Sequence, residues 1–262
     1  MTAAKVLKFQ LRDLVRSRWV LGYVLLLLAL TEALLRFGGS GPRAVISLLN
    51  LVLILVPLVS IVFGTMYLYG AREFIELLLA QPVGRRALFA GLYAGLAIPL
   101  AGGFLLGVGL PFLWAGRGEG PGTGSVGLLL ASGAILTLVF TALAFLVSLL
   151  VVDRARGLGV AIVLWLGVTV LYDGILVLVA TTMADYPLEL PLLGLTLLNP
   201  VDLGRVLLLL QLDVAALMGY TGATFERFFG SALGTGVTIG ALALWVAAPL
   251  LLGLRRFVTK DF

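Results

Sequence analysis

Long apolar runs without a charge constrain this chain more than any other feature of its sequence. The longest extends from Ala44 to Tyr69, 26 residues, and at about 1.5 Å of rise per residue it exceeds a hydrocarbon core roughly 30 Å thick. It predicts a membrane-spanning helix that is tilted, kinked at Pro57 or extended beyond the lipid. Because 61% of the 262 residues are hydrophobic and 12% are charged, little polar sequence remains for a separate soluble domain.

Six such runs predict an all-α integral membrane protein, a single domain over residues 1–262 with six transmembrane helices. The predicted spans are Trp19–Phe37, Ala44–Tyr69, Ala87–Trp114, Ser125–Val152, Leu158–Ala184 and Ser231–Leu254. Residues 1–18 place leucines on one side of a helix and basic residues on another, which predicts a helix lying in the membrane interface. A secretory signal peptide is rejected because the basic region is too long and no small-residue cleavage site follows.

A charged, helix-forming insert separates the second and third runs, over residues 71–86. Arg72 and Glu76 are spaced to pair across one helical turn, and Pro82 ends the helix. Three apolar residues are expected to share one side of this helix: Phe74, Leu77 and Leu78. The pattern fits either a solvated loop or a helix that docks a cytoplasmic partner.

Residues 185–230 form the longest stretch outside the predicted spans. Asn199 offers an N-cap and Pro200 a first helical position. We therefore predict two short helices on the outer surface, Val201–Met218 and Ala223–Phe229. Three polar residues near the centre of the first helix argue against a seventh span: Arg205, Gln211 and Asp213.

Two acidic residues lie inside predicted spans. Glu32 has Arg36 one turn away, and we predict that they pair. Asp173 lies about 15 residues, or roughly 22 Å, along the fifth span, where a carboxylate is costly unless it is paired or hydrated. We predict a structural role for Asp173, solvated or bonded to a neighbouring helix, with the lining of a polar pathway as the alternative.

The residue types needed for most catalytic and metal chemistry are missing from this sequence. There is no cysteine and no histidine, which excludes disulfides, zinc or haem ligation, and Ser/His or Cys/His catalysis within the chain. No lysine stands in a phosphate-binding loop motif. We expect no catalytic residue, no metal site and no cofactor here, so that ATP and Mg²⁺ would be bound by another subunit.

The basic residues are distributed unequally between the two sides of the membrane. With the N-terminus inside, 13 of the 18 lysines and arginines fall on the cytoplasmic side and 5 on the outer side. This bias predicts a multi-pass membrane protein with both termini and the insert in the cytoplasm. The net charge of +5 is then a topology signal, so we expect membrane lipid and no nucleic acid as a partner.

The order of these elements resembles that of ABC-2 type transporter permeases. Two segments are similar to permeases of the NosY kind, which serve nitrous oxide reductase maturation. The first is Y-L-Y-G-A-R-E-F-I-E-L-L-L-A-Q-P-V-G-R-R, residues 67–86. The second combines L-N-P-V-D-L-G-R, residues 198–205, with L-Q-L-D-V-A-A-L-M-G-Y-T-G-A, residues 210–223.

This resemblance implies a non-catalytic permease subunit of the bacterial inner membrane that works as a homodimer with two cytoplasmic ATPase subunits and a periplasmic accessory protein. Transfer of the family's coupling helix to this chain selects Arg72, Glu73, Phe74, Glu76, Gln81, Pro82, Arg85 and Arg86. The outer helices would contact the accessory protein through Asp202, Arg205, Gln211, Asp213, Glu226 and Arg227. The alternatives are an exporter of a lipid, polysaccharide or drug-like substrate, and a mechanotransmission scaffold that moves no solute.

Overall fold

The structure is a computed structural model that describes residues 18–37, 42–80, 84–115, 123–182, 189–211 and 222–260. Regular structure in these residues is entirely helical. We number the helices α1 (Arg18–Phe37), α2 (Pro42–Gly70), α3 (Arg72–Leu79), α4 (Arg85–Ala115), α5 (Thr123–Leu150), α6 (Arg154–Leu166), α7 (Tyr172–Thr182), α8 (Glu189–Leu197), α9 (Pro200–Gln211), α10 (Gly222–Phe229) and α11 (Ala232–Thr259). A π-helical turn, Gly167–Leu171, joins α6 to α7.

Six spans long and apolar enough to cross a membrane occur in the described part of the chain. They are Arg18–Phe37, Val45–Gly70, Arg85–Trp114, Gly124–Leu150, Arg154–Thr182 and Leu233–Thr259. The fold class and the number of spans predicted from the apolar runs are confirmed. The predicted interfacial helix lies outside the described residues except for Arg18, which begins α1.

The fourth span, α5, is the centre of the bundle. It packs against α2, α4, α6, α9 and α11, and its long apolar sequence is mostly buried. Nine of its buried residues belong to the main hydrophobic core, among them Leu136, Val139, Phe140 and Phe145. Because α5 is closely packed against these five helices, a displacement of any one of them changes the packing of α5.

Small residues set the closest helix approaches. A Cβ added at Gly64 of α2 would lie 2.6 Å from the Ala144 Cβ of α5. One added at Gly107 of α4 would lie 3.0 Å from the Val24 carbonyl oxygen of α1. The glycines therefore allow these two helix pairs to pack backbone to backbone.

The fifth span, α6 with the π turn and α7, is the span least covered by the rest of the chain. Only 6% of its apolar window is buried, against 72% for α5. The π turn was not predicted from the sequence, because the apolar composition of Gly167–Leu171 is equally compatible with an α-helix. A π turn widens the helix locally and leaves a backbone carbonyl available for another partner.

The segment between the fifth and sixth spans differs from the prediction of two helices on the outer surface. An additional helix, α8, precedes α9, and the two meet at 113°. The α9 residues Val201, Leu203 and Leu208 are buried, and α9 packs against α2, α5 and α11. The correction is that α9 enters the bundle, so that α8 and α9 together form a broken span or a re-entrant segment.

Candidate functional site

The helix of the insert, α3, is joined directly to the end of the second span. Ala71 is the single residue between α2 and α3, and its N–H donates to the Tyr67 carbonyl at 2.9 Å. The Ile75 N–H in turn donates to the Ala71 carbonyl at 2.8 Å. Backbone hydrogen bonding thus continues across the junction, which makes α3 a bent extension of α2. We call the end of the bundle that carries α3 the insert face.

The two faces of α3 have different chemistry. Ile75 is fully buried and Leu78 nearly so, and both belong to the main core. The opposite face exposes Glu73, Glu76 and Leu77, and Leu77 is 69% exposed. The sequence had suggested that Leu77 shares the buried side with Leu78, and this is wrong. Ile75 lies on the buried side instead. The outward face of α3 therefore carries two carboxylates around an exposed leucine.

Arg72 faces the bundle. Its guanidinium carbon lies 4.7 Å from the centre of the Tyr69 ring, a cation–π distance. The ion pairs between described residues do not include one between Arg72 and Glu76, which the spacing had suggested. Glu76 is consequently available on the outward face, beside Glu73.

An arginine near the end of the insert bonds to the end of the last helix. The Arg85 Nη1 donates to the carbonyl oxygens of Val258 at 2.8 Å and Lys260 at 2.9 Å. These carbonyls lie at the end of α11, where helix geometry leaves acceptors without intrahelical partners and where the helix dipole favours a cation. Arg85 was predicted as an ATPase contact, but its guanidinium bonds within the chain.

Lysine 260 makes an equivalent contact with the central helix. The Lys260 Nζ donates to the Leu149 carbonyl at 3.0 Å, at the C-terminal end of α5. Burial lowers the pKa of Lys260, and the nearby Arg72 guanidinium lowers it further. We call the contacts of Arg85 and Lys260 with these helix ends the C-terminal clasp. It joins the start of α4 to the ends of α11 and α5.

The fifth span begins at the same face. The Tyr69 hydroxyl of α2 donates to the Val151 carbonyl at 2.8 Å. The Asp153 side chain then caps α6 by accepting from the Arg156 N–H at 2.8 Å. Gly157 lies against Tyr69 so closely that an added Cβ would overlap the tyrosine hydroxyl. The start of α6 therefore rests on the last turn of α2, immediately before α3.

These contacts bring several helix ends together at the insert face. The Ala71 junction joins α3 to α2, Tyr69 joins α2 to the start of α6, and the clasp joins α4, α5 and α11. Of the predicted coupling residues, Glu73, Glu76 and Arg86 are exposed, whereas Arg72, Phe74 and Arg85 are partly buried. Gln81 and Pro82 lie outside the described residues.

A second cluster of charges lies in the other half of the bundle. The Arg205 Nη1 of α9 lies 2.7 Å from the Asp173 Oδ2 of α7 and 3.3 Å from the Asp202 Oδ1. Asp173 is thus bonded to a neighbouring helix, one of the two forms of the structural role predicted for it. The sequence did not identify Arg205 as its partner, since the two residues are far apart along the chain.

Polar contacts around the π turn extend this cluster. The Asn199 side chain donates to the Val168 carbonyl of the π turn at 2.8 Å and accepts from the Val201 N–H at 2.9 Å. It caps α9 as the sequence predicted, and Pro200 is the first residue of that helix. The Tyr172 hydroxyl donates to the Leu195 carbonyl at 2.6 Å. Two hydrogen bonds therefore connect the region of the π turn to the region of the break between α8 and α9.

The residues predicted to contact an outer partner separate into three groups. Glu226 and Arg227 of α10 are exposed and remain candidates. The Asp202 side chain is 4% exposed and pairs with Arg205, so both residues contribute to packing between α9 and α7 instead of presenting an outer surface. The Gln211 side chain and Asp213 lie outside what the structure describes.

The ion pair predicted near the C-terminal end of the first span is present. The Arg36 Nε lies 2.6 Å from the Glu32 Oε1, and the Trp114 Nε1 donates to the Glu32 Oε2 at 2.9 Å. Glu32 therefore ties α1 to the end of α4. Among the described residues, no group of three or more acidic side chains is placed to hold a metal ion.

Comparison with known proteins gives matches along almost the whole chain. Residues 4–262 match the family described as ABC-2 family transporter protein. A protein of Pseudomonas aeruginosa named "Probable ABC transporter permease protein NosY" is 30% identical over 261 residues, which cover 93% of this chain and 91% of that protein. A protein of the same name from Stutzerimonas stutzeri is 29% identical over 278 residues, covering 95% of each chain.

Proposed function

The chain belongs to the ABC-2 family of transporter proteins, and we propose that it is the permease subunit that converts ATP hydrolysis in partner ATPase subunits into movement of its spans. ATP and Mg²⁺ are bound by those partners in this proposal. Two copies of the chain pair with two ATPase subunits in the cytoplasm, so that each α3 contacts one ATPase. The family assignment and the names of the relatives support the permease role.

The observation that carries this proposal is the position of α3. Its outward face offers Glu73, Glu76 and Leu77 to a partner, while its inner face is anchored by Ile75 and Leu78. Because α3 is bonded to α2 through Ala71, a rigid-body displacement of a docked ATPase moves the second span directly. The clasp passes the same displacement to the ends of α4, α5 and α11.

The test reverses the charge of the outward face. The variant Glu73→Lys/Glu76→Lys, tagged and purified from membranes, should lose at least about tenfold of the co-purifying P-loop ATPase and of its ATPase activity, since paired charges at an interface are costly to reverse. Unchanged association and unchanged ATPase activity would contradict the proposal.

A matched control uses the exposed pair Arg154 and Arg156 at the start of α6, on the same end of the bundle. The variant Arg154→Glu/Arg156→Glu also reverses two charges, and we expect it to retain the ATPase. The two variants change the net charge in opposite directions, so equal loss in both would indicate that any charge reversal at the insert face disturbs the complex and that α3 is not the specific contact.

We further propose that the complex serves nitrous oxide reductase maturation with a periplasmic accessory protein. The similarity of residues 67–86, 198–205 and 210–223 to permeases of the NosY kind supports this role, as do the two relatives that carry that name. The exposed Glu226 and Arg227 of α10 are the described residues that would contact the accessory protein. The variant Glu226→Lys/Arg227→Glu should release that protein while the ATPase stays bound.

A second candidate function is mechanotransmission without solute transport. One observation favours it: Asp173, the candidate for a polar pathway, is bonded to Arg205 and thus acts as a contact between helices. In this case ATP should move a nitroxide label placed at residue 226 in a complex reconstituted without any solute. A label that moves only when a transported solute is added would instead indicate an exporter.

A further inference from the structure

A groove between α5 and α11 opens at the insert face and continues into the apolar part of the bundle. The part of the groove at the insert face has a volume of about 450 Å³ and is lined by Leu146, Leu150, Leu252, Arg255, Arg256 and Thr259. Its deeper part has a volume of about 330 Å³ and includes Trp245, Ala248 and Pro249 in its lining. Leu146 and Leu252 line both parts, so the two are continuous.

The charge of the groove is concentrated at its mouth. Arg255 and Arg256 are exposed there, and no ion pair between described residues involves either of them. The side chains that line the deeper part are all apolar apart from the indole of Trp245. The groove therefore combines a cationic end with a long apolar body.

The length of the groove matches one leaflet of a bilayer. From Trp245 to Thr259, α11 rises roughly 21 Å at about 1.5 Å per residue. Half of a bilayer, with its headgroup region, is about 20–22 Å thick. A ligand whose polar group lies at Arg255 and Arg256 would thus extend its apolar part to about the middle of the membrane.

We propose that this groove binds one anionic phospholipid from the leaflet at the insert face. The phosphate is held by Arg255 and Arg256, and an acyl chain lies along Leu146, Trp245 and Ala248. Basic pockets between transmembrane helices on the cytoplasmic side are suited to anionic headgroups. A free phosphate would leave the apolar body empty, and a helix of a second copy, about 10–12 Å wide, would lie across the groove without filling it.

A lipid in this position adjoins the C-terminal clasp. Arg256 and Thr259 precede Lys260, which donates to Leu149 at the end of α5, and Leu150 itself lines the mouth of the groove. The lipid would therefore contact α5 and α11, two of the three helices that the clasp joins. This inference concerns a ligand of the permease chain itself and does not depend on the presence of an ATPase.

The test measures lipid binding to the full chain by native mass spectrometry in a mild non-ionic detergent. Phosphatidylglycerol and phosphatidylcholine with identical acyl chains are titrated separately. The wild-type chain should bind phosphatidylglycerol more tightly, and Arg255→Gln/Arg256→Gln should weaken that binding roughly 30-fold, the factor expected from two cationic side chains near an anionic headgroup. Arg154→Gln/Arg156→Gln removes the same charge from the same end of the bundle and should change it less than about twofold.

A second pair of variants tests the apolar body. Ala248→Phe narrows the deeper part and should weaken phosphatidylglycerol binding with both arginines intact. Leu251→Phe adds an aromatic ring at an exposed neighbouring position outside the groove lining and should leave binding unchanged.

Three results would overturn the proposal. The first is equal weakening by the Arg154/Arg156 control, which indicates attraction to positive charge in general. The second is displacement of the lipid by glycerophosphoglycerol at equal concentration, which indicates a site for the phosphate headgroup alone. The third is a change in the dimer fraction of the Arg255/Arg256 variant with no change in lipid binding, which assigns the groove to a second copy.

Discussion

At the scale of single residues, the charges of the insert fall into a group bonded within the chain and a group exposed on its surface. Arg72 stacks on Tyr69 and Arg85 bonds to the end of α11, so two of the three arginines act within the chain, while Arg86 is exposed. Glu73 and Glu76 point outward. The partner would therefore meet a face of α3 that carries two carboxylates, while Arg72 keeps the start of α3 against the end of α2.

The first prediction concerns Arg85. Arg85→Ala removes two charge-assisted hydrogen bonds to the end of α11, and we expect it to destabilise the protein by about 1–3 kcal/mol, allowing for partial solvent exposure. The measurement is a thermal or SDS unfolding titration of the purified chain. The exposed neighbour Arg86 provides the control, and Arg86→Ala should cost less than about 0.5 kcal/mol. Similar costs for both variants would argue against the clasp.

A second prediction concerns the group of two carboxylates around Arg205. Asp173→Asn leaves Arg205 paired with Asp202, whereas Arg205→Met leaves both carboxylates without their cation. We therefore expect Arg205→Met to be the more destabilising, by about 3–5 kcal/mol if the pair were fully buried and by less here, because about a third of the Arg205 and Asp173 side chains is exposed.

The same unfolding titration, applied to both single variants and the double variant, gives the coupling between Arg205 and Asp173. A coupling of at least about 0.5 kcal/mol is expected for residues in contact. Strictly additive effects would show that the 2.7 Å pair contributes nothing to stability.

Residue-scale features were predictable from the sequence only where both partners lie close along the chain. The Glu32–Arg36 pair and the Asn199 cap follow from spacing and were predicted. The Arg205–Asp173 pair joins residues of different helices. Without a visible partner, Arg205 argued against a buried α9, and that prediction was wrong. A charge in an apolar helix argues against burial only if no opposite charge can reach it.

At the scale of helices, the start of α6 can lie against the end of α2 because Gly157 has no side chain. We predict that Gly157→Leu pushes α6 away from Tyr69 and destabilises the protein by about 1–3 kcal/mol. Gly159 lies two residues further along the same helix with nothing within 4 Å of an added Cβ. Gly159→Leu should therefore be tolerated, and the two variants are compared by thermal unfolding in the same detergent.

If Gly157→Leu and Gly159→Leu unfold at the same temperature, the contact between α6 and Tyr69 does not limit how closely the two helices approach. A reduced ATPase activity in Gly157→Leu with normal ATPase binding would additionally support transmission from α2 to the fifth span.

Helices that cross the membrane were predictable because each needs about 20 apolar residues in a row, a signal that the sequence carries six times. The helices α3 and α10 are short but have strong charge and apolar patterns, and both were predicted. α8 was missed because its nine residues, Glu189–Leu197, are too few to span the lipid and contain a proline. Which side of α3 is buried depended on the position of α2, so Leu77 was assigned to the wrong side.

At the scale of the whole molecule, the two ends of the bundle have different structures. At the insert face, hydrogen bonds from Tyr69, Arg85 and Lys260 join the ends of several helices. The other half contains the break between α8 and α9, the π turn and the charges around Arg205. The central helix α5 connects the two ends, because it packs against both α2 and α9.

The last prediction is the orientation of this bundle in the membrane. Since the natural chain contains no cysteine, a single introduced cysteine can be labelled without background. We expect Glu76→Cys in α3 to be protected from a membrane-impermeant maleimide in intact cells and to react after permeabilisation. Glu226→Cys in α10 should react in intact cells. Both positions are exposed, so access from one side of the membrane alone decides the result. Labelling of Glu76→Cys in intact cells would place α3 outside, where no cytoplasmic ATPase could reach it.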